Sequence, residues 1–538
     1  MTAVKRVFMV DGQPFFPLGG QSCNSSGYND KESATAFKVI KLLHGNTLEI
    51  PVYWDHVEPE EGIFDFTAVD DLITTARRQG VKLILLWFAT WKNGNMDYAP
   101  AWVKTAPQRF KRVISPTGSD IWNLSSHCKA TLQADKKAFT ALCKHLKAKD
   151  STDRTVIAIQ VQNEPGILGS DRDYGPEAQS VYDGPVPAKL ISQMKASGKG
   201  RIFDIWQKSG GKKSVGTWPE LFGWEAGEIM TAWSIAGYID SIAASGKAVY
   251  DIPMYINVWM MEQPWWPIPG ESYPSGGAVS KVLDIYKWFT PHIDIIAPDN
   301  YSDDTEGYKA NSVSYSRDDN PYFTPETAGD QNMFRGIADY NLIGNFFFGI
   351  EYIVSPDGAI RPEYQSLVDN FHCVSSAIPL LLKYQGTGKI HAIIQEFKLT
   401  TQRLDLDCYM GIVDFGEKNA RWGGKDWRHN AGWMWNEQPS MNRGRGLVVQ
   451  ASKNEFYLVG VNYRLFLRRK PTLDKMGAPL LVSDWATKIF GYIVSVDEGH
   501  FDRKGEFIAE RRRNGDEIFR RGLWVESDIG ILRVITCD

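Results

Sequence analysis

Two glutamates, Glu164 and Glu326, each follow a predicted strand and could act together on one substrate. Residues 155–166, TVIAIQVQNEPG, begin as a run of β-branched and small apolar residues, which is typical of a strand buried on both faces. The run stops at NEP, because a proline cannot continue the hydrogen-bond ladder. Glu326 follows the shorter run PYFT, residues 321–324. A simpler interpretation of either glutamate is a position at the start of a helix, as a cap before proline or as an acid in the first turn.

A pair of carboxyl groups in different surroundings suits the cleavage of a glycosidic bond with retention of configuration. One group must be protonated, to give its proton to the leaving oxygen, and the other ionised, to attack the anomeric carbon. Their surroundings must therefore hold the two pKa values apart. At the mouth of one barrel they could approach to the roughly 5–5.5 Å that retaining enzymes need. Glu49 and Glu351, near other predicted strand ends, are reserve candidates, whereas Glu58 in VEPEEG is expected to begin a framework turn.

The elements that would position this pair alternate between strand and helix over residues 1–385. Eight such repeats predict a (β/α)8 TIM barrel, in which catalytic side chains lie at the C-terminal ends of the strands. Residues 170–217 are rich in glycine, lysine and serine, and they predict a polar insertion at the active-site rim, outside the core. The predicted strands are FPLGG, GNTLEIPV, VKLILLWF, TVIAIQVQ, PMYINVW, IDIIA, PYFT and FFFGIEY.

The pattern changes after residue 385, where short alternating stretches separated by turn residues replace the long helical patterns. Residues 386–538 are therefore predicted to form an antiparallel, sandwich-like β-domain. Such a domain could buttress the barrel or bind carbohydrate, and the sequence favours buttressing.

Composition narrows the range of partners. A net charge of −4 without a basic stripe argues against nucleic acid. The chain has no apolar run of about 18 residues and no secretory h-region, which predicts a cytoplasmic protein without a membrane partner, or a secreted one if a signal peptide was removed. Six scattered cysteines, and nine histidines without an HExxH pattern, indicate neither disulfides nor a metal. No cofactor is expected, and a homodimer is left open.

Several stretches resemble, in order, bacterial and fungal members of glycoside hydrolase family 35, the β-galactosidase family of the retaining clan A. They are LGGQSCNSSGY, GNTLEIPVYWDHVEPEEGIFDF, LILLWFATWKNGNMDYAPAWVK and IQVQNEPG. The tail resembles the all-β domain of one branch of that family through RGRGLVVQ, DEGHFDRKGEFIAERRRNGDE and GILRV. The resemblance implies that Glu164 is the acid/base and Glu326 the nucleophile. It also implies that Asn163 binds the sugar 2-hydroxyl and that Tyr301 orients the nucleophile.

Further side chains near the predicted strand ends are candidates for sugar binding. Indole rings can stack on the C–H face of a sugar, and amides or a lysine can bind its hydroxyls. Packing in the core is the alternative for Tyr301. It explains Trp87 better than Trp91, and it is favoured over sugar binding for Trp259. The candidate substrate-binding residues are Asn163, Tyr301, Asn24, Trp91, Lys92, Trp87, Asn257 and Trp259.

Together these features predict a retaining exo-acting β-glycosidase, first of all a β-galactosidase, whose partner is a small oligosaccharide. The preference for galactose rests on the resemblance alone, because strand three ends in WFATWKN where the family usually has small polar or acidic residues. Three alternatives stay open. They are another sugar specificity, transglycosylation with residues 170–217 forming an acceptor site, and a non-catalytic sugar-binding barrel.

Overall fold

The computed structural model describes residues 6–211, 213–262, 266–302, 304–328, 332–396, 399–415, 443–470, 493–515, 517–518 and 522–537. A hairpin of β1 (Phe8–Val10) and β2 (Gln13–Phe15), with its turn at Asp11 and Gly12, precedes the eight-stranded sheet. Eight parallel strands then form one sheet in the order β10-β9-β8-β5-β4-β3-β12-β11. The strands of this sheet are β3 (Leu18–Gln21), β4 (Thr47–Tyr53), β5 (Lys82–Lys92), β8 (Val156–Asn163), β9 (Met254–Val258), β10 (Ile295–Pro298), β11 (Thr324–Thr327) and β12 (Asn345–Phe348).

The two edges of this sheet meet. Asn300, just after β10, forms a parallel bridge with Thr327 at the end of β11. The sheet is therefore a nearly closed barrel, and the predicted TIM-barrel class is confirmed. The hairpin formed by β6 (Arg112–Ile114) and β7 (Asp120–Leu124) lies between β5 and β8 in the chain.

Helices surround the barrel because its strands are apolar on both sides. β4 and β8 are buried at every position, since one face meets the barrel interior and the other meets helices. The helices are α1 (Asp30–Leu42), α2 (Trp54–Val57), α3 (Thr67–Gln79), α4 (Ala101–Lys104), α5 (Lys129–Asp150), α6 (Pro176–Tyr182), α7 (Ala188–Ser197), α8 (Arg201–Gly210), α9 (Trp218–Phe222), α10 (Ala226–Lys247), α11 (Leu283–Phe289), α12 (Thr305–Tyr315), α13 (Asn332–Asp339) and α14 (Gln365–Tyr384). Within the parts of the chain listed above, no helix has the length and apolar character needed to cross a membrane.

The insertion at residues 170–217 differs from its prediction. It is largely helical, with α6 to α8 inside it, and Leu190, Met194 and Trp206 are buried in the main core. Glycine and lysine dominate the composition, but the apolar residues recur at helical spacing and form one buried face. In the insertion α7 packs on α11 and α8 packs on α9, so the expectation of a polar segment outside the core is wrong.

Two strand boundaries also differ. β5 continues through Lys92, beyond the predicted end at residue 88. β11 begins at Thr324, where the predicted strand ended, so Glu326 lies inside a strand. The prediction ended the strand at Pro325, but the pairing with β12 is irregular between Thr324 and Thr327. An irregular ladder accommodates a residue without an N–H group.

In its described residues the C-terminal domain has two antiparallel sheets with a separate core between them, as predicted. The last barrel helix, α14, ends at Tyr384, and the first strand of this domain begins at Ile390. One sheet has the order β13-β16-β17-β22-β19-β20 and the other β14-β15-β18-β21. These strands are β13 (Ile390–Ile394), β14 (Thr401–Leu406), β15 (Tyr409–Asp414), β16 (Arg445–Ser452), β17 (Glu455–Val461), β18 (Tyr463–Arg469), β19 (Ile493–Phe501), β20 (Phe507–Arg512), β21 (Leu523–Val525) and β22 (Ile531–Thr536).

Buried Arg445 joins the two domains. Its Nε donates to Asn370 Oδ1 on α14, and its Nη2 donates to the carbonyl of Ser366 at 3.3 Å. Its Nη1 donates to the carbonyl of Arg443 at 2.7 Å. The guanidinium is fully buried, so these hydrogen bonds replace its water shell. The contact is consistent with a β-domain that buttresses the barrel.

Candidate active site

Glu164 and Glu326 meet at the C-terminal end of the barrel. Glu164 directly follows β8, and Glu326 lies in β11. Their side chains are only 7% and 6% exposed. Each offers a carboxylate oxygen within 4.8 Å of an oxygen of the other. This spacing suits the 5–5.5 Å class of paired carboxyl groups and is well below the roughly 6.5–9.5 Å of inverting pairs.

The backbone before Glu164 leaves regular strand geometry. Gln162 and Glu164 have φ values of 68° and 44°, in the left-handed region that non-glycine residues rarely adopt. The pairing of β5 with β8 is also irregular here, between Trp87 and Lys92. The Glu164 N–H no longer joins the ladder and donates to Asn257 Oδ1 at 2.8 Å. Strain of this kind is typical of functional sites.

Glu326 is held by four donors. Its Oε1 accepts from the amides of Gln21 at 3.0 Å, Asn257 at 3.3 Å and Asn163 at 3.4 Å. Its Oε2 accepts from the Tyr301 hydroxyl at 2.8 Å. An ionised carboxylate is an acceptor on both oxygens and can receive all four hydrogen bonds. The surroundings of Glu326 therefore suit a fixed anion.

Glu164 has different surroundings. Burial, reinforced by the negative charge of Glu326, raises the pKa of the Glu164 carboxyl from 4.5 to about 7. The positive charge of Lys92 and a hydrogen bond with Asp299 oppose this rise. Glu164 can thus hold a proton near neutrality while Glu326 is organised to bear a charge, which is the division of roles that an acid and a nucleophile need.

Asp299 completes the cluster and was missed by the sequence analysis. It follows β10, is 1% exposed, and has an oxygen within 4.8 Å of those of Glu164 and Glu326. Gln21, the last residue of β3, was also missed. Both residues lie at the C-terminal ends of barrel strands, which is the signal that identified Glu164. Neither residue was selected as a candidate, because the glutamates and tryptophans near strand ends were considered first.

Three predicted binding residues do line this cluster. Asn257 links the carboxyl groups, because its Nδ2 donates to Asp299 Oδ2 at 2.9 Å as well as to Glu326. Asn163 is fully buried, and its Oδ1 has no hydrogen-bond partner among the described residues, so that oxygen can accept from a ligand. Tyr301 is 37% exposed and donates to Glu326, so it connects the buried cluster with the protein surface.

The tryptophans are placed differently. Trp87 is fully buried against α5, and its Nε1 donates to Asp135 Oδ1 at 2.9 Å. Trp91 is 1% exposed, and its Nε1 donates to Asn123 Oδ1 at 2.9 Å. Both indoles are therefore core residues, and the structure does not support their prediction as sugar platforms. Trp259 is half-buried against the main core.

Asn24 and the reserve carboxylates have framework surroundings. The carbonyl of Asn24 accepts from the Tyr53 hydroxyl at 2.5 Å, and its buried Oδ1 is without a partner among the described residues. Glu351 fixes the same loop, accepting from Cys23 N at 2.9 Å and Ser26 Oγ at 2.5 Å. Glu49 lies deeper in the barrel and accepts from Tyr255 at 2.8 Å. Glu58 accepts from Trp54 and Gly62, as a framework residue should.

The three clustered carboxyl groups have a spacing that a cation could occupy. Their oxygens already interact with protein donors, however. Four donors reach Glu326, and the Asn257 amide donates to Asp299 as well. We therefore interpret the group as a proton-sharing cluster and identify no metal ligands in it.

Comparison with known proteins agrees with this geometry. Residues 26–196 match the family model described as Beta-galactosidase, that of glycoside hydrolase family 42, and residues 367–524 match one described as a domain of unknown function, DUF5597. Residues 26–196 are therefore similar to the β-galactosidase family of glycoside hydrolases. The matching model is that of family 42, so the narrower prediction of family 35 is not supported.

The curated relatives are similar over part of the chain. A β-galactosidase of Xanthomonas manihotis is 27% identical over 187 residues, which cover 32% of this chain and 28% of the relative. The β-galactosidase GalA of Bacillus licheniformis is 29% identical over 118 residues, covering 21% and 16%. The chain therefore spans less than a third of the length of either relative.

Among solved structures, the cold-adapted β-galactosidase of Rahnella sp. R3 aligns over 73% of this chain and 59% of its own, with 13% identity and a TM-score of 0.48. The family 42 β-galactosidase Gan42B of G. stearothermophilus aligns over 69% and 57%, with 15% identity and a TM-score of 0.46. The catalytic domain of a β-amylase from Paenibacillus polymyxa aligns over 65% and 95%, with 13% identity and a TM-score of 0.46.

Proposed function

We propose that this protein is a retaining exo-acting β-glycosidase related to family 42, and that its preferred substrates carry a terminal β-galactoside. The observation that carries the proposal is the Glu164–Glu326 pair. Its oxygens lie within 4.8 Å of each other, in surroundings that favour a proton on one and a charge on the other.

The reaction follows from this arrangement in two balanced steps. In the first, Glu326 attacks the anomeric carbon, the bond to the leaving oxygen breaks, and the proton of Glu164 passes to that oxygen. In the second, the Glu164 carboxylate takes a proton from water, and the water oxygen attacks the anomeric carbon. The ester bond to Glu326 then breaks, and both carboxyl groups return to their starting states.

The surrounding residues support these steps. Asn163 Oδ1 is positioned to accept a hydrogen bond from a sugar hydroxyl, and a contact of this kind strengthens in the transition state of glycosidases. Tyr301, through its hydrogen bond to Oε2, keeps Glu326 aligned for attack. Galactose as the sugar follows from the names of the family and the relatives. A cytoplasmic location and a homodimer stay predictions.

A panel of 4-nitrophenyl β-glycosides tests the proposal. We expect turnover of the galactoside above the glucoside, glucosaminide, fucoside and arabinoside, and severe loss in Glu164→Gln. Glu326→Ala should be inactive and should regain turnover with azide, giving the α-galactosyl azide. Glu58→Gln is the matched control, because Glu58 is also buried but accepts from the framework donors Trp54 Nε1 and Gly62 N.

The outcomes separate the alternatives. Turnover of another sugar would keep the mechanism and overturn the specificity. Near-normal activity in Glu326→Ala would overturn the assignment of the nucleophile. Binding of sugars without turnover of any glycoside would favour a non-catalytic barrel, and predominant sugar transfer with excess acceptor would favour a transglycosylase.

A further inference from the structure

Asp299 is held rigidly beside the acid/base. Its backbone N–H donates to the carbonyl of Val258 at 3.1 Å, which ties the end of β10 to β9. Its Oδ2 accepts from Asn257 Nδ2 at 2.9 Å. The same amide donates to Glu326 and accepts from the Glu164 N–H, so one side chain fixes all three carboxylic residues. Asp299 cannot move without disturbing Asn257.

The side chains of Asp299 and Glu164 are both buried, and each offers an oxygen within 4.8 Å of an oxygen of the other. Two ionised carboxylates this close would repel each other strongly in buried surroundings, so one of the pair carries a proton. Burial, together with the charges of Glu326 and Glu164, raises the pKa of Asp299 well above its usual value. Asp299 is also the more deeply buried of the two, at 1% exposed against 7% for Glu164, so the more tightly held proton belongs to Asp299.

We propose that Asp299 is a positioning residue that keeps its own proton throughout the reaction and donates a hydrogen bond to the carboxylate of Glu164. This inference rests on the proposed glycosidase function for its role, but not for the location of the proton. A carboxylic acid kept neutral in an apolar site can act as a hydrogen-bond donor at neutral pH. Its proton is never transferred to the substrate.

This assignment keeps the charge of the cluster constant. In the proton-donating form of the enzyme Glu164 and Asp299 are both protonated, and Glu326, which accepts four hydrogen bonds, provides the one carboxylate of the cluster. After the first step Glu326 is esterified and Glu164 has given up its proton, so the cluster again carries one negative charge. Asp299 then donates to the newly formed Glu164 carboxylate and stabilises the base that the second step needs. Lys92 faces the cluster with the compensating positive charge.

The location of the proton depends on every charged or titratable group around Asp299. The positive charge of Lys92 opposes its protonation, whereas the two glutamates favour it. Three tyrosines also face the aspartate, and burial raises the pKa of each of them, so they stay neutral near physiological pH. The groups are Glu164 after β8, Glu326 in β11, Lys92 in β5, Tyr255 in β9, Tyr301 after β10 and Tyr315 in α12.

Infrared difference spectroscopy locates the proton without any substrate. Protein labelled with 13C only at the aspartate carboxyl groups is compared with Asp299→Asn at about pH 8, where Asp135, whose pKa is about 6, is ionised. We expect a band of a protonated aspartic acid in the wild type that is lost in the variant and retained in Glu164→Gln. Absence of this band from the wild type would overturn the proposal.

Kinetics test the role of the donor. Asn at position 299 can still donate to Glu164 and accept from Asn257, so Asp299→Asn should leave the alkaline limb of the pH profile within about half a pH unit of its wild-type position. Asp299→Ala removes the donor, which should raise that limb by about one unit and lower kcat at least about tenfold. A downward movement in Asp299→Asn would show that the variant had removed a negative charge, and would overturn the proposal.

The two proposals fail in different ways. A wild type that cleaves no glycoside but shows the aspartic acid band would refute the proposed function and keep the protonated Asp299. Clear β-galactosidase activity without the band would do the reverse. Thermal unfolding of each variant separates a change in the site from a loss of folding.

Discussion

The proton on Glu164 should set the alkaline limit of activity. The acid form is needed in the free enzyme, so kcat/KM should fall tenfold per pH unit above the pKa of this group. With a pKa of about 7, about half of the enzyme carries the proton at pH 7. A carboxyl at the ordinary 4.5 would be about 0.3% protonated there. Burial beside Glu326 therefore accounts for an increase of more than about 100-fold in usable acid at neutrality.

Removing the positive charge of Lys92 should shift the alkaline limb of the pH profile in a known direction. Its positive charge lowers the pKa of Glu164, so Lys92→Met should move the alkaline limb to higher pH. Lys309→Met is the control, because Lys309 lies on the outer helix α12 and pairs with Glu306 there. The position of the limb is the readout. The height of the profile also reflects any contact between Lys92 and the sugar.

The assay is kcat/KM for 4-nitrophenyl β-galactoside between about pH 5 and about pH 9. A second series uses a galactoside with a poor leaving group, which depends more on proton donation. An alkaline midpoint near 4.5 would refute the argument that burial beside Glu326 shifts Glu164. A limb at the same pH in Lys92→Met and the wild type would refute the electrostatic role of the lysine.

Three further predictions follow from single contacts. Tyr301→Phe loses the donor to Glu326 Oε2 and should lower kcat/KM by about tenfold to about 100-fold, whereas Tyr250→Phe, between α10 and β9, should not. Glu164→Gln should raise the free energy of unfolding at about pH 8 by about 3 kcal/mol, measured by denaturant unfolding. The pKa of Glu164 rises from 4.5 to about 7 on folding, which corresponds to about that energy, because the buried charge destabilises the fold above pH 7. The gain should vanish below pH 4.5, where the carboxyl is protonated in both states. Arg445→Met should destabilise by about 3 kcal/mol or more, because Asn370 loses its buried partner, and an unchanged melting temperature would contradict this.

The architecture was accessible from the sequence because its signals are local. Buried strands such as β4 and β8 are continuous apolar runs, and each is followed by a helix with an apolar face. The end of β8 was found because Pro165 cannot extend the ladder. The same rule misplaced β11, since Pro325 lies within that strand where its pairing with β12 is irregular. A proline predicts one missing hydrogen bond in the ladder. Whether the strand also ends there depends on its pairing with the neighbouring strand, as the difference between Pro165 and Pro325 shows.

The carboxyl pair could be predicted, but its surroundings could not. Glu164 and Glu326 are visible because a charged residue stands out after an apolar run. Gln21 and Asp299 lie at equivalent strand ends, yet their significance depends on which side chains the closed barrel brings within hydrogen-bonding distance. Trp87 shows the opposite error. It was chosen for its aromatic ring, but its position in β5 points the ring toward α5.

The same tryptophans have a second use in the structure. The side chain of Gln162 donates to Asp135 Oδ2 at 2.7 Å and accepts from the backbone N–H of Trp91 at 3.0 Å. Asp135 also accepts from Trp87 Nε1. These hydrogen bonds hold Gln162 in its left-handed conformation, which costs about 1–3 kcal/mol for a residue of this type.

That strained residue determines how Glu164 is presented. A regular strand would alternate its side chains between the barrel interior and the helices. The left-handed residues at 162 and 164 break this alternation, so Gln162 reaches α5 while Asn163 and Glu164 both serve the catalytic cluster. Trp87, through its indole N–H to Asp135, and Trp91, through its backbone N–H to Gln162, therefore support the backbone that carries Glu164 and do not contact the catalytic cluster in the way that a sugar platform would. The Asn163-Glu164-Pro165 motif supplies the acid, and residues of β5 and α5 hold its backbone in the conformation that presents Glu164 to the cluster.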